Sequence, residues 1–285
     1  MKEINFISAK SDLGVHVCGS EKGPDALTSS FDIKNYIIKK ENIEKSFDPE
    51  DLRKNEKHIN IFTKKVFDTA LNILEGNKTP LLIGGDHSTV IGSALASQSY
   101  HNNIGIIWVD AHIDYNTFET TITGNIHGLP LASINGLCKD LTNFITNNYI
   151  NSKNTVVVGY RAKEENAKEE YNNIKKMGVT VFTTEDIKKE GPANIMKKAI
   201  EIASNNTNGI HVSLDLDVLD PKVAPGVSIP ELDGINDSDM YDIVDEMLNH
   251  KDIVKSIDLV ELSPKNDINN KTKDIALNIL NSIIK

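Results

Sequence analysis

The chain has 285 residues, 31 of them Lys or Arg and 41 Asp or Glu, for a formal charge of −10. That balance argues against nucleic acid as a partner and suits a soluble protein acting on a small substrate, cationic ones included. Two cysteines, Cys18 and Cys138, make no disulfide framework, and neither a signal-like N-terminus nor an apolar run of ~20 residues is present, so a cytoplasmic protein off the membrane is expected.

In chain order the pattern predicts a strand at Ile4–Ser8, a helix over Glu50–Glu75, a strand at Pro80–Gly84 and a helix over Ser88–Gln98. Strands follow at Ile104–Val109 and Thr155–Val158, then a helix over Glu164–Lys176 and a strand at Val179–Phe182. A helix over Pro192–Asn205, a strand at Ile210–Leu216, a helix over Asp237–Asn249, a strand at Ile253–Val260 and a helix over Lys271–Ile284 complete the chain. Several strands are continuously apolar (LLIGG, IGIIWVD, TVVVG), as when both sheet faces are covered. The alternation predicts one α/β domain, residues 1–285, with a mostly parallel sheet between helical layers. In open α/β sheets ligands gather beyond the carboxyl ends of the strands, so the residues after each apolar run carry the functional expectation.

After LLI comes Gly84-Gly85-Asp86-His87-Ser88. The glycines allow a tight turn with backbone close to a ligand, His87 emerges at the strand end, and Ser88 is placed to cap the next helix. No Gly-Lys-Ser/Thr follows, which excludes a P-loop. After IGIIWV comes Asp110-Ala111-His112-Ile113-Asp114. In extended backbone, positions i, i+2 and i+4 share a face, which would bring Asp110, His112 and Asp114 to one point. Carboxylates clustered there need a compensating cation. After GIHVSL come Asp215 and Asp217, again on one face. An EF-hand loop fails, because its sixth and twelfth positions would be Asp220 and Gly226. An aspartyl-phosphate motif fails at Val218-Leu219.

His87, Asp110, His112, Asp114, Asp215 and Asp217 together offer two imidazoles and four carboxylates, whose charge balances two divalent cations. Oxygen-rich ligation with some imidazole suits Mn²⁺, and two such ions can activate one water, so the residues suggest a two-metal hydrolase. The polar loop from Tyr115 to Gly128 ends in His127, a candidate proton shuttle. Glu261, after the last strand, is suited to hold a cationic group.

GGDHS, DAHID, GNIHG, DLDVLDP and the Glu of VELSP, with Gly23-Pro24-Asp25-Ala26-Leu27 near the start, resemble in order and spacing the Mn²⁺-dependent ureohydrolases, the arginases and agmatinases. The resemblance implies a three-layer αβα fold, a binuclear manganese centre, hydrolysis of a small cationic guanidino substrate to urea, and a homo-oligomer, trimer or hexamer. It implies one ion on His87, Asp110, Asp114 and Asp215 and the other on His112, Asp110, Asp215 and Asp217. A metal-bridging hydroxide, oriented by Asp114, would attack the guanidinium carbon. His127 would transfer the proton and Glu261 would bind the guanidinium. Asn116, Thr123 and the GNIHGLPLA run look most like arginase, in which matching residues contact the substrate α-carboxylate, so L-arginine is the expected substrate. The sequence departs from that pattern at Val218 (usually Gly), at Ser228-Ile229-Pro230 (usually Gly-Thr-Pro), and after Arg161, where Ala162-Lys163-Glu164-Glu165 replaces acidic residues that help bind the α-amino group. The alternatives are hydrolysis of agmatine, guanidinobutyrate, guanidinopropionate or formimidoylglutamate, and a catalytically silent metal-binding relative. A phosphate-ester hydrolase is disfavoured, because the chain has only two arginines, Arg53 and Arg161.

Overall fold

The computed structural model describes residues 1–285 apart from 44, 47, 49 and 162–166. Its strands are β1 (Ile4–Lys10), β2 (Asn35–Lys39), β3 (Thr79–Gly84), β4 (Gly105–Val109), β5 (Thr155–Tyr160), β6 (Thr180–Thr183), β7 (Ile210–Asp215) and β8 (Val254–Val260). They form a single sheet in the order β2-β1-β3-β8-β7-β4-β5-β6, and every pairing is parallel. The expected strands are all present to within two residues at their ends. The edge strand β2, with the short sequence NYIIK, was not expected.

The helices are α1 (Gly23–Thr28), α2 (Glu56–Glu75), α3 (Val90–His101), α4 (Pro130–Ile134), α5 (Ala167–Lys176), α6 (Thr184–Glu190), α7 (Pro192–Ala203), α8 (Asp237–Asn249) and α9 (Lys271–Ile284). Residues of α1, α6, α7, α8 and α9 share one apolar cluster with alternate strand positions such as Leu81, Ile83, Ile107 and Val109. Residues of α2, α3, α4 and α5 share the other cluster with Leu82, Ile106 and Trp108. The result is the expected three-layer αβα sandwich. Helix α2 starts at Glu56 rather than Glu50, because Asn55 takes a left-handed backbone (φ 58°) and its side chain binds Leu13 O and Ser46 N instead of extending the helix. The first residues of the helix expected from Glu164 lie outside the described residues.

The central strands are not wholly apolar. Along β7, Ile210, Val212 and Leu214 face one cluster, while His211 and Ser213 face the small residues of α3 on the other side. His211 bonds Ser256 and Asp258 of β8, Asp258 accepts from Ser93 Oγ at 2.9 Å, and Ser256 Oγ donates to Ser97 Oγ at 3.0 Å. This fully buried polar seam is satisfied hydrogen bond by hydrogen bond, as burial of such groups requires. Because all strands run the same way, residues 85–88, 110–114, 215–217 and 261 emerge along one edge of the sheet.

Candidate metal centre and substrate cavity

At that edge His87 follows β3 in a 3-10 turn whose N-cap is Asp86: Asp86 Oδ1 accepts from Ser88 N at 2.9 Å. Asp86 is therefore the capping residue, not Ser88. The close approach at Gly85 is to the chain itself, since a Cβ there would overlap the carbonyl oxygen of Ser11. The His87 ring stacks on Trp108 (centroids 3.8 Å apart, 6° between planes), and its Nε2 lies 2.9 Å from Ser213 Oγ. Its Nδ1 then faces Asp215 Oδ2 at 2.9 Å, Asp110 Oδ2 at 3.0 Å and Asp114 Oδ2 at 3.3 Å.

Asp110 directly follows β4 with both oxygens engaged: Oδ2 accepts from Trp108 Nε1 at 2.9 Å and Oδ1 from His112 N at 2.6 Å. Beyond it the chain bends, so Asp110, His112 and Asp114 do not converge as one face of an extended segment. Asp114 reaches the cluster from a left-handed backbone with φ 53°. Its carbonyl accepts from Leu131 N at 3.0 Å, which fastens it to the start of α4. Likewise Asp215 is the last residue of β7, and Asp217 follows in a 3-10 turn with its N–H on Asp215 Oδ1 at 2.8 Å. His112 Nδ1 lies 2.9 Å from Asp217 Oδ2 and 3.4 Å from Asp110 Oδ1.

All six expected donors thus come together. Two groups have ligand atoms mutually within 4.8 Å: His87, Asp110 and Asp215, and then Asp110, His112 and Asp217. Asp110 belongs to both, whereas Asp114 touches the first only through His87. Burial and mutual repulsion push Asp114 and Asp215 well above the usual carboxylate range, and Asp217 up to about 6. For Asp110 burial acts in the same sense, but the adjacent His112 and His87 rings outweigh it and hold the group low. His87 Nδ1, buried among three carboxylates, has no hydrogen-bond partner. Such a donor set fits oxygen- and imidazole-binding divalent cations.

Glu261 also has a left-handed backbone (φ 67°), with its N–H on Gly85 O at 2.8 Å. Its Oε1 accepts from His87 N at 3.0 Å and lies 3.3 Å from His127 Nδ1, and its Oε2 is buried without a partner. Burial raises this carboxyl, but its polar neighbours, His127 foremost, more than offset that and keep it below its ordinary value. A cavity of about 100 Å³ opens beside the cluster, lined by His112, Asp114 and His127 together with Asn116, Thr123 and Ile229.

The sequence reading missed several residues here. Trp108 and Ser213 each stand two positions before an acidic donor on the same strand face, which was the available signal. Asn125, Glu170 and His16 line the cavity. Glu170, from α5, accepts from Tyr115 N at 2.7 Å and is the acidic residue that the structure brings there. The run Ala162-Lys163-Glu164-Glu165, where the sequence departs from the family pattern, lies outside the described residues. Arg161 donates to the carbonyls of Asp217 (2.7 Å), Leu219 (3.2 Å) and Glu231 (3.0 Å), so it ties two loops together. Val218 is accommodated because Gly159 (φ 104°) has no Cβ, which would otherwise overlap a Val218 methyl.

A parallel αβα sandwich with this acid-and-imidazole cluster on its carboxyl edge defines a hydrolase of the ureohydrolase type. The chain matches the Arginase family over residues 2–285 and belongs to it: it is a hydrolase acting on guanidino C–N bonds, in a metal-dependent family. It is 34% identical over 296 residues to an arginase of Brevibacillus brevis, covering 99% of this chain and 97% of that one. Its fold superimposes on the crystal structure of arginase from Bacillus cereus with a TM-score of 0.89 at 32% identity, over 100% of this chain and 98% of the other. It also superimposes on Entamoeba histolytica arginase in complex with L-ornithine, with a TM-score of 0.88 at 27% identity and coverages of 100% and 98%.

Proposed function

We propose that this chain hydrolyses L-arginine to urea and ornithine, using two Mn²⁺ ions held by His87, Asp110, His112, Asp114, Asp215 and Asp217. The observation that carries the reading is a cavity whose lining joins His112, Asp114 and His127 to polar side chains that match an amino-acid tail, Asn116, Thr123 and Asn125 with the carboxylate of Glu170. The L-ornithine complex of the Entamoeba relative supports it.

When bound, the ions supply charge compensation for the carboxylates and deprotonation of one water. Glu261 holds the guanidinium by charge-assisted hydrogen bonds at its otherwise unpartnered Oε2. Asp114 orients the attacking water toward the guanidinium carbon. The bond from that carbon to the substituted nitrogen then breaks, and His127 hands a proton to the departing amine. Glu261 Oε1, 3.3 Å from His127 Nδ1, positions the ring for that transfer. One water and one arginine give one urea and one ornithine.

Ile229, on the cavity wall where the family usually has Thr, favours a second reading in which the preferred tail is less polar, as in agmatine. The proposal extends to a single domain, supported by one sheet joining all strands, and to a cytoplasmic trimer or hexamer, supported by family membership. The test is urea release by Mn²⁺-loaded protein from arginine, agmatine, guanidinobutyrate and guanidinopropionate, and formamide release from formimidoylglutamate, with metal content measured on the same sample. Arginine fastest with two ions per chain is expected. No turnover of arginine, or one ion at saturation, overturns the reading.

A further inference from the structure

On the sheet edge opposite the acid-and-imidazole cluster, a cavity of about 150 Å³ opens where β3 and β8 begin. Leu74, Val254 and Tyr100 give it an apolar wall, and Lys2, Lys255 and His101 stand around that wall. None of these residues enters the chemistry above. A cavity of this size admits a body as large as benzene.

The charges of the lining do not cancel. Lys2 Nζ donates to Asn77 Oδ1 and Lys255 Nζ to the carbonyl of Asp252 at 3.4 Å, and among the described residues neither ammonium forms an ion pair. Lys78, also on the lining, is paired with Glu3. The carboxylate of Asp252 offsets one of the two remaining ammoniums. The lining side chains thus keep one positive charge, in a chain whose formal charge is −10.

His101 is the last residue of α3, its carbonyl accepts from Asn208 Nδ2 at 2.9 Å, and its ring meets that of Tyr100 edge-on with centroids 4.8 Å apart. Its Nε2 is buried and has no hydrogen-bond partner. Burial, and then the charges of Lys255 and Lys2, push this imidazole down to about 4, so near neutral pH the ring is uncharged and offers one N–H. A buried polar atom left without a partner is costly. An acceptor beside the ring removes that cost, and an anionic one also suits the two ammoniums. One negative charge matches the lining, whereas a dianion overshoots it. Leu74 and Val254 call for an apolar body behind the charged head.

We propose that this cavity is a second ligand site, separate from the reacting centre, for a small monocarboxylate with an aliphatic or aromatic body. The test is calorimetric titration of Mn²⁺-loaded protein with butyrate, benzoate, inorganic phosphate and butylamine. Butyrate and benzoate should bind saturably at millimolar concentration. Lys255→Gln and His101→Phe, which keep the bulk of each side chain, should each weaken that binding roughly tenfold, as expected for a hydrogen bond to a charged group. A second measurement uses wild type alone: butyrate should slow acetylation of Lys255 by acetic anhydride, read by mass spectrometry, and leave the exposed Lys139 unaffected. No saturable binding of either carboxylate, or no protection of Lys255, overturns the site. Binding within twofold of wild type in either variant also overturns it, because the carboxylate then sits elsewhere, the metal centre included. Phosphate or butylamine bound as tightly as butyrate overturns the choice of a monocarboxylate.

Discussion

At residue scale, the proposal gives Glu261 the anionic half of substrate recognition, and its geometry yields a clean test. Glu261→Gln keeps the shape and the bonds to His87 N but removes the charge. KM for the guanidino substrate should rise tenfold or more, consistent with ~1.5–3 kcal/mol for a hydrogen bond to a charged partner. Metal content, by elemental analysis, should stay unchanged, and its loss would instead place Glu261 among the groups that hold the ions. The six donors were legible because His and Asp directly after apolar strands are residue types that burial does not otherwise tolerate. Their supports were less so. Trp108 reads as one more apolar strand residue and Ser213 as a neutral polar one. Only tertiary structure sets Trp108 flat against His87 and gives Ser213 the other ring nitrogen. The left-handed backbone of Asp114 has no sequence signature at all.

At the scale of elements, the long helices and central strands could be read from periodicity. The short helices α1, α4 and α6 and the five-residue edge strand β2 fall below the window over which periodicity can be counted. Helix α6 did carry a local signal, the reciprocal capping of Thr183 and Asp186. The polar seam between β7, β8 and α3 looks in sequence like an ordinary alternating pattern, yet both faces are buried. Asp258→Ala would leave His211, which is 0% exposed, without its carboxylate. Unfolding by denaturant should show a loss of roughly 3–5 kcal/mol, the cost of breaking a buried pair by removing one partner. A loss under about 1 kcal/mol would show that Ser256 and Ser93 compensate.

For the whole molecule, the charge cluster links metal content to stability. Without ions, the raised Asp217 titrates at about 6, and Asp114 and Asp215 are raised further. A carboxyl whose folded-state pKa is raised contributes stability at low pH that is lost as pH rises through that value. Metal binding requires the deprotonated form and acts in the opposite direction. Chelation should therefore lower the Tm, and the gap between Mn²⁺-loaded and stripped protein should be small near pH 5 and widen as pH rises through about 6. Scanning both forms at pH 5 and 8 checks this; a gap independent of pH would mean that the cluster is not what the ions compensate.

The position of β8 bears on biosynthesis. The last strand made lies between β3 and β7, so β2-β1-β3 and β7-β4-β5-β6 have no contact through the sheet until it inserts. His87 stands on one side of that gap, and Asp110, His112, Asp114, Asp215 and Asp217 stand on the other. During translation the nascent chain carries all six donors while the ribosome is still adding β8, but in two separate pieces. On the proposed reading, an ion arriving then meets Asp110, His112 and Asp217 already together, while the group that includes His87 is completed only once β8 has closed the sheet.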